Sequence, residues 1–119
     1  MALRALAADV PGVRSAVLAT SDGLVAVAEP SADGADEIAA MTAAVVARAQ
    51  QIASVAVGGA LEDCSIRTGT GAVCLVSVTD RYVLALGASD GVPLGLVLRQ
   101  CRTAADVLAT ILTDRFESV

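Results

Sequence analysis

The side chains most often used for catalysis are sparse in this chain of 119 residues. It contains no His and no Lys, which removes the usual proton-transfer group near neutral pH and the usual amine nucleophile. Acidic residues form two adjacent pairs, Asp36-Glu37 and Glu62-Asp63, but neighbouring side chains point in different directions and do not converge on one substrate. The sequence also lacks a phosphate-binding P-loop and a nucleophile elbow. We therefore predict a protein that is not an enzyme and that has no cofactor site.

Three cysteines, Cys64, Cys74 and Cys101, lie within apolar segments and form no CxxC pair. With no His to complete a mixed metal site, we predict no metal ligation and interpret the thiols as small buried hydrophobic groups. Cys64 and Cys74 flank a predicted turn at residues 69–71, and an even strand register would place them on one face of a sheet. A disulfide between them would then be possible, although the reducing cytoplasm disfavours it.

Charge and hydropathy exclude two classes of partner. The net charge is −5, and all eight cations are Arg residues spread singly along the sequence; nucleic acid requires clustered cations, so we predict no nucleic-acid binding. Hydrophobic residues make up 55% of the chain, but its longest uncharged runs, residues 49–61 and 68–79, are shorter than the ~20 residues that span a bilayer as a helix. The first ten residues carry Arg4 and Asp9 and do not form a secretory apolar region. We predict one cytoplasmic domain, residues 1–119, without membrane insertion.

The apolar pattern divides the chain into helix, two strands, helix, three strands and helix. Pro11-Gly12 ends the first helix, Asp22-Gly23 predicts a tight hairpin turn, and Asp33 is the predicted N-cap of a long helix. The predicted helices cover residues 3–10, 36–57 and 93–112, and the predicted strands cover residues 16–20, 24–29, 61–68, 72–79 and 82–88. Four strands are nearly continuous apolar runs, which indicates a sheet covered on both faces. We predict an α+β fold: a five-stranded antiparallel sheet with the long helix on one face and the two terminal helices on the other.

The long helix has two dissimilar sides, one bulky and one rich in alanine. The bulky side carries Ile38, Met41, Val45, Ala49, Ile52 and Ala56, and the alanine side carries Ala40, Ala43, Ala44 and Ala47. Small uncharged side chains let a second helix approach closely, so we expect a partner to cover the alanine side. The alternative is that these alanines are simply exposed, since alanine is the best helix former.

The third strand, residues 61–68, is the only predicted strand with several charges and therefore belongs at a sheet edge. If two copies pair antiparallel about Ser65, Asp63 of one copy faces Arg67 of the other, twice per dimer. Alternatively, the charges only keep the edge soluble. The predicted homodimer interface comprises Leu61, Asp63, Cys64, Ser65, Ile66, Arg67, Ala40, Ala43 and Ala47.

The order and spacing of these features resemble the roadblock/dynein light chain family, in particular its bacterial branch of MglB-like and actinobacterial proteins. The matching features are Pro11-Gly12-Val13 after the first helix, Ala16-Val17-Leu18 with Asp22-Gly23, Asp36-Glu37-Ile38 opening the long helix, Gly69-Thr70-Gly71, and the last helix from Gly95. The resemblance implies a roadblock/profilin-like sandwich. It also implies homodimers in which two sheets join at the third strand and the long helices lie alongside each other.

The same resemblance implies a Ras-like small GTPase as partner, with a sensor-kinase-like protein as a further one. The expected role is to scaffold the GTPase or modulate its nucleotide cycle in bacterial signalling, and we assign the docking platform to Ala44, Arg48, Gln51 and Val55. The alternative is a small-ligand or signal-sensing module of profilin-like architecture without a GTPase partner. Only one Tyr, one Phe and no Trp are present, which disfavours the apolar ligand pocket that such a sensor needs.

Overall fold

Five strands and two helices make up the part of the chain that the computed structural model describes, residues 12–29 and 34–117. The strands are β1 (Val13–Thr20), β2 (Val25–Glu29), β3 (Asp63–Thr68), β4 (Gly71–Thr79) and β5 (Tyr82–Ser89), and the helices are α1 (Ala35–Ala56) and α2 (Leu94–Glu117). The predicted helix at residues 3–10 and the predicted cap Asp33 lie outside the described residues. Gly34 occupies the N-cap of α1, and Asp36 and Glu37 lie in its first turn as predicted.

The strands form one antiparallel sheet in the order β2-β1-β5-β4-β3. Tight turns make the hairpins: Gly23 has a φ of 92° in the β1–β2 turn, a left-handed conformation that glycine adopts without strain. Since β2 and β3 are opposite edges of the sheet, α1 is the connection that carries the chain from one edge to the other. The prediction that the charged third strand lies at an edge is confirmed.

The two helices cover opposite faces of the sheet, as predicted. Strand residues that alternate along β1, β4 and β5 divide into two cores: Ala16, Leu18, Cys74, Leu84 and Leu86 pack with Val97, Cys101 and Leu108 of α2, and Val17, Ala19, Leu75, Val83 and Ala85 pack with Ala39 of α1. We call these two faces of the sheet the α2 side and the α1 side. The α+β architecture predicted from the sequence is confirmed for the described residues.

The bulky side of α1 is largely exposed. The buried residues of the helix are the small ones, Ala39 and Thr42, whereas Met41 and Ile52 of the bulky side are 57% and 69% exposed. The reason is a close approach between the helix and the chain beneath it: a Cβ built on Gly23 would lie 3.2 Å from Cα of Ala40. Small side chains fit at this close approach; Ile38 and Val46 pack, partly buried, against the same core, while Met41 and Ile52 point outwards.

The strand register also separates two of the cysteines. Ser65 lies opposite Cys74, and Cys64 lies opposite Leu75, so Cys64 is on the α1 side and Cys74 on the α2 side. The register required for an intrachain Cys64–Cys74 disulfide is therefore wrong. All three thiols are free.

Candidate protein-interaction surface

The outward surface of α1 consists of three parallel rows of residues, set by the helical angle of about 100° per residue. The central row, which we call the outer strip, points away from the sheet and comprises the predicted platform residues Ala44, Arg48, Gln51 and Val55, all exposed. On one side of it is the alanine flank, Ala40, Ala43 and Ala47, and on the other is the bulky flank, Met41, Val45 and Ile52. The only interaction between side chains in the outer strip is a hydrogen bond that Arg48 Nη1 donates to Gln51 Oε1 at 3.2 Å. The strip is thus apolar at both ends with one cation near its middle.

The alanine flank is partly covered by its own chain. A Cβ built on Gly23 of the β1–β2 turn would lie 3.7 Å from Cβ of Ala43, and Ala43 is half-buried while Ala40 and Ala47 are exposed. The β1–β2 turn therefore already covers part of Ala43, and the coverage of this flank by a partner stays a prediction. Most of the exposed apolar surface of α1 lies on the bulky flank and at the end of the outer strip, where Val55 is 91% exposed.

Strand β3 presents a free edge, since β4 is its only partner strand within residues 12–29 and 34–117. Thr68 lies opposite Gly71, and in such a two-residue hairpin the flanking residues form a hydrogen-bonded pair. Hydrogen-bonded pairs then recur at every second residue, which leaves the backbone N–H and C=O groups of Asp63, Ser65 and Arg67 directed away from β4. An antiparallel copy of β3 centred on Ser65 would satisfy all three residues.

The predicted interface residues of this edge differ in exposure. Ser65, Ile66 and Arg67 are exposed, and Leu61, Asp63 and Cys64 are half-buried. The register places Ile66 with Cys64 on the α1 side, and Arg67 with Asp63 on the α2 side. An approaching partner would therefore meet an apolar pair on one face of the edge and a charged pair on the other.

Asp63 already has an ion-pair partner within its own chain. Arg102 of α2 donates a hydrogen bond from Nη2 to Asp63 Oδ2, and this carboxylate raises the pKa of Arg102. The sequence analysis missed Arg102, because nothing local shows that the last helix crosses the face on which Asp63 points. The predicted Asp63–Arg67 contact between copies thus involves a carboxylate that Arg102 already positions.

Gln50 joins α1 to the segment that enters β3. Its Nε2 donates hydrogen bonds to Gly59 O at 3.1 Å and to Ser54 Oγ at 2.9 Å, while its Oε1 accepts one from Leu61 N at 2.6 Å. One side chain therefore fixes the helix relative to the edge strand. The sequence analysis did not identify this role, since an amide on an alanine-rich helix gives no signal about its distant partner.

The interior of the described part of the chain offers no reactive group. Burial raises the pKa of Cys74 and raises that of Cys101 to about 12, so both thiols stay protonated near neutral pH. Among the described residues, no cluster of His, Cys, Asp and Glu has the composition of a metal site, and no buried side-chain polar atom lacks a partner. Helix α1 is long and apolar enough to cross a membrane by length and composition alone, which is weak evidence for a span.

An exposed apolar helix beside a free strand edge is the kind of surface that protein partners bind. The chain belongs to the Roadblock/LC7 domain family, whose sequence profile matches residues 2–88. Its structure is similar to a Roadblock/LC7 domain from Streptomyces avermitilis, with 20% identity over 94% of this chain and 95% of that chain and a TM-score of 0.86. No curated protein matches the chain.

Two further solved structures share the fold. MglB from Myxococcus xanthus is 19% identical over 95% of this chain and 86% of that chain, with a TM-score of 0.85. Profilin IB from Acanthamoeba castellanii is 13% identical over 93% of this chain and 98% of that chain, with a TM-score of 0.67. The bacterial roadblock branch inferred from the sequence is supported, and the likeness to profilin extends to the fold only.

Proposed function

We propose that this protein is a non-catalytic, cytoplasmic homodimeric adaptor that binds a Ras-like small GTPase and scaffolds it or modulates its nucleotide cycle in bacterial signalling. The observation that carries the proposal is the outward orientation of α1, which leaves large apolar side chains without cover from their own chain. Membership of the Roadblock/LC7 family supports an adaptor role, and the GTPase partner follows from the family resemblance. A sensor-kinase-like protein is a further proposed partner.

The proposed homodimer forms at β3, with α1 of each copy lying on the same side of the joined sheet. Asp63, Ser65 and Arg67 supply the free backbone groups, and Cys64 and Ile66 supply apolar contacts across the seam. From α1 we retain Ala40, Ala43 and Ala47, and we add the bulky flank because Met41, Val45 and Ile52 are large apolar side chains that are exposed. Leu61 contributes to the interface indirectly, because its backbone N–H is hydrogen-bonded to Gln50 and fixes the segment that leads into β3.

Charge reversal tests the register of this seam. Arg67→Asp should weaken the dimer, because it places a carboxylate opposite Asp63 of the second copy. A rescue by Asp63→Arg alone should fail, since the new cation would meet Arg102 in its own chain. The rescue therefore needs Arg102→Glu as well, and the triple variant should recover most of the dimer affinity in sedimentation equilibrium. A triple variant as weak as Arg67→Asp would show that the register is different.

The outer strip is the proposed GTPase platform, and it faces away from both the sheet and the seam. Arg48→Glu should weaken GTPase binding at least tenfold while leaving the dimer intact, because it reverses the one charge of the strip. Arg99→Glu is the matched control, since Arg99 is an exposed arginine on α2, across the sheet.

The measurement is titration of the purified protein with a purified bacterial Ras-like small GTPase, loaded with GDP or with a non-hydrolysable GTP analogue. Binding to at least one nucleotide state that responds to Arg48→Glu and not to Arg99→Glu is the expected result. Binding to neither state would refute the proposed partner and favour the small-ligand sensor. Equal loss in both variants would place the platform elsewhere.

A further inference from the structure

A shallow trough opens on the α1 side of the sheet, beside the end of β3 that leads into the β3–β4 turn. Strands β1, β3, β4 and β5 and that turn supply its lining, and α1 supplies none of it. The volume is about 190 Å³, below the ~300 Å³ at which pockets for drug-sized ligands begin. The trough is therefore formed within one copy of the chain, and its size suits a small molecule.

The floor of the trough is a glycine with a free hydroxyl group above it. Gly87 lies opposite Ser15 on one side and opposite Val73 on the other, and a Cβ built on Gly87 would lie 2.8 Å from Ser15 Oγ. The absence of a side chain at Gly87 thus leaves the space into which the Ser15 hydroxyl points. Within the part of the chain that the structure describes, this hydroxyl makes no hydrogen bond.

A β-bulge in β1 brings a cation to the same trough. The register of β1 against β5 shifts between Val13 and Ser15, so Arg14 is the extra residue of the bulge. Regular alternation would place Arg14 and Ser15 on opposite faces of the sheet, whereas a bulge redirects a side chain, and here both residues line the trough. Arg14 is exposed and has no ion-pair partner among residues 12–29 and 34–117. Its guanidinium is available to a ligand.

The polar groups of the trough favour an anion. They belong to one arginine and three hydroxyl residues, Ser15, Thr68 and Thr70, and none of the lining residues is acidic. The chain as a whole has 13 acidic and 8 basic residues, so the charge of the trough is opposite to that of the protein. Guanidinium and hydroxyl groups donate hydrogen bonds to carboxylate and phosphate oxygens, and the bonds from a guanidinium are strengthened by its charge.

We propose that the trough binds a small organic anion, with its carboxylate or phosphate group held by Arg14 and Ser15 and a short apolar substituent against Val73 and Ile66. Ser15, Gly87, Val73 and Ile66 form one row across four strands. Ser15 and Val73 are two strand spacings apart, about 10 Å, which is a suitable length for an anionic group with one small substituent. The site requires neither a GTPase nor a second copy, so its failure would leave the proposed adaptor function standing.

NMR titration of the isotope-labelled protein tests the site. Phenyl phosphate and benzoate are added separately at millimolar concentrations and constant ionic strength, so that screening stays the same. We expect at least one of them to shift the backbone amide signals of Ser15, Gly71 and Gly87, and the comparison shows which anionic group is preferred. Benzyl alcohol, an uncharged analogue, should not shift them. Absence of shifts with both anions would overturn the proposal, and so would equal shifts with benzyl alcohol.

Two substitutions, each with a matched control, locate the binding. Arg14→Gln should raise the ligand Kd about tenfold or more, because a charge-assisted hydrogen bond is lost, and Gly87→Ala should do the same by filling the floor. Arg99→Gln and Gly95→Ala are the controls, since both residues are exposed on α2 and a Cβ at Gly95 has nothing within 4 Å. Arg14 is exposed, so Arg14→Gln should keep the fold even if Gly87→Ala does not. A Kd unchanged by Arg14→Gln, or raised equally by Arg99→Gln, would overturn the assignment.

Discussion

Replacement of Ile66 is the most direct test of the edge-strand dimer. In the isolated chain Ile66 is 41% exposed and lies on the α1 side of β3, where a two-fold at Ser65 would place it opposite Cys64 of the second copy. Trimming it to alanine removes apolar area that only the dimer buries. The fold of a single copy should be little affected, because the side chain stands at the sheet edge and not in either core.

The size of the effect follows from the area still exposed. Complete burial of an isoleucine contributes ~1.5–3 kcal/mol, so the 41% that remains exposed corresponds to about 1 kcal/mol per copy. A two-fold dimer contains the residue twice, which gives about 1–2 kcal/mol, or a roughly 5- to 30-fold weaker Kd. Ile66→Asp should weaken the dimer further, since two carboxylates would be desolvated in the seam.

Sedimentation equilibrium over a range of concentrations measures the dimer Kd of each variant. Leu24→Ala and Leu24→Asp are the matched controls, because Leu24 is exposed even more than Ile66, at 66%, but lies beside β2 at the other edge. Weakening by the Ile66 variants alone is the expected result. Unchanged Kd values for Ile66→Ala and Ile66→Asp would refute pairing at β3, and weakening by the Leu24 variants would locate the interface at the opposite edge.

Three further predictions concern the described residues of a single copy. Gln50→Ala should lower the free energy of unfolding by about 1–2 kcal/mol, because Leu61 N–H and Gly59 C=O lose their hydrogen-bond partner. It should also speed hydrogen exchange at Leu61. The control Gln51→Ala, in the exposed outer strip, should have neither effect. Because burial raises the pKa of Cys101 from 9.0 to about 12, its contribution to stability is intact below pH ~9 and is lost as pH rises towards ~12. Urea unfolding should therefore show a steeper loss above pH ~9 in the parent chain than in Cys101→Ala, by up to about 1.4 kcal/mol per pH unit. A thiol reagent should modify only Cys64 in the native protein, and titration of a second thiol before unfolding would contradict the buried positions of the others.

The order of elements was predictable because each signal is local. Asp22-Gly23 fixes a hairpin turn through the backbone freedom of glycine, and the charged composition of residues 61–68 identifies an edge strand irrespective of what surrounds it. The uninterrupted apolar strands required two covered faces, which α1 and α2 supply. These predictions used only periodicity, turn chemistry and charge.

The orientation of α1 and the contacts at the edge were not predictable in the same way. The helical pattern distinguishes a bulky and an alanine side but does not say which one faces the sheet, whereas the close approach of Gly23 to Ala40 admits only small side chains there. The Arg102–Asp63 ion pair and the Gln50 bond to Leu61 join residues 39 and 11 positions apart, and they depend on how the helices lie across the sheet. A sequence pattern does not show which residue far along the chain becomes the partner, because that is decided by the three-dimensional packing.

The division of α1 into residues that pack on the sheet and large apolar residues that remain exposed separates recognition from folding. In most surface helices the large apolar residues hold the element in place, so a change of binding specificity risks unfolding the protein. Here the buried Ala39 and Thr42, together with the partly buried Ile38 and Val46, provide the attachment, and enlarging Ala39 would lift the helix from the strands. Met41, Ile52 and Val55 are mostly exposed, so substitutions at these positions can change which partner binds without disturbing the fold.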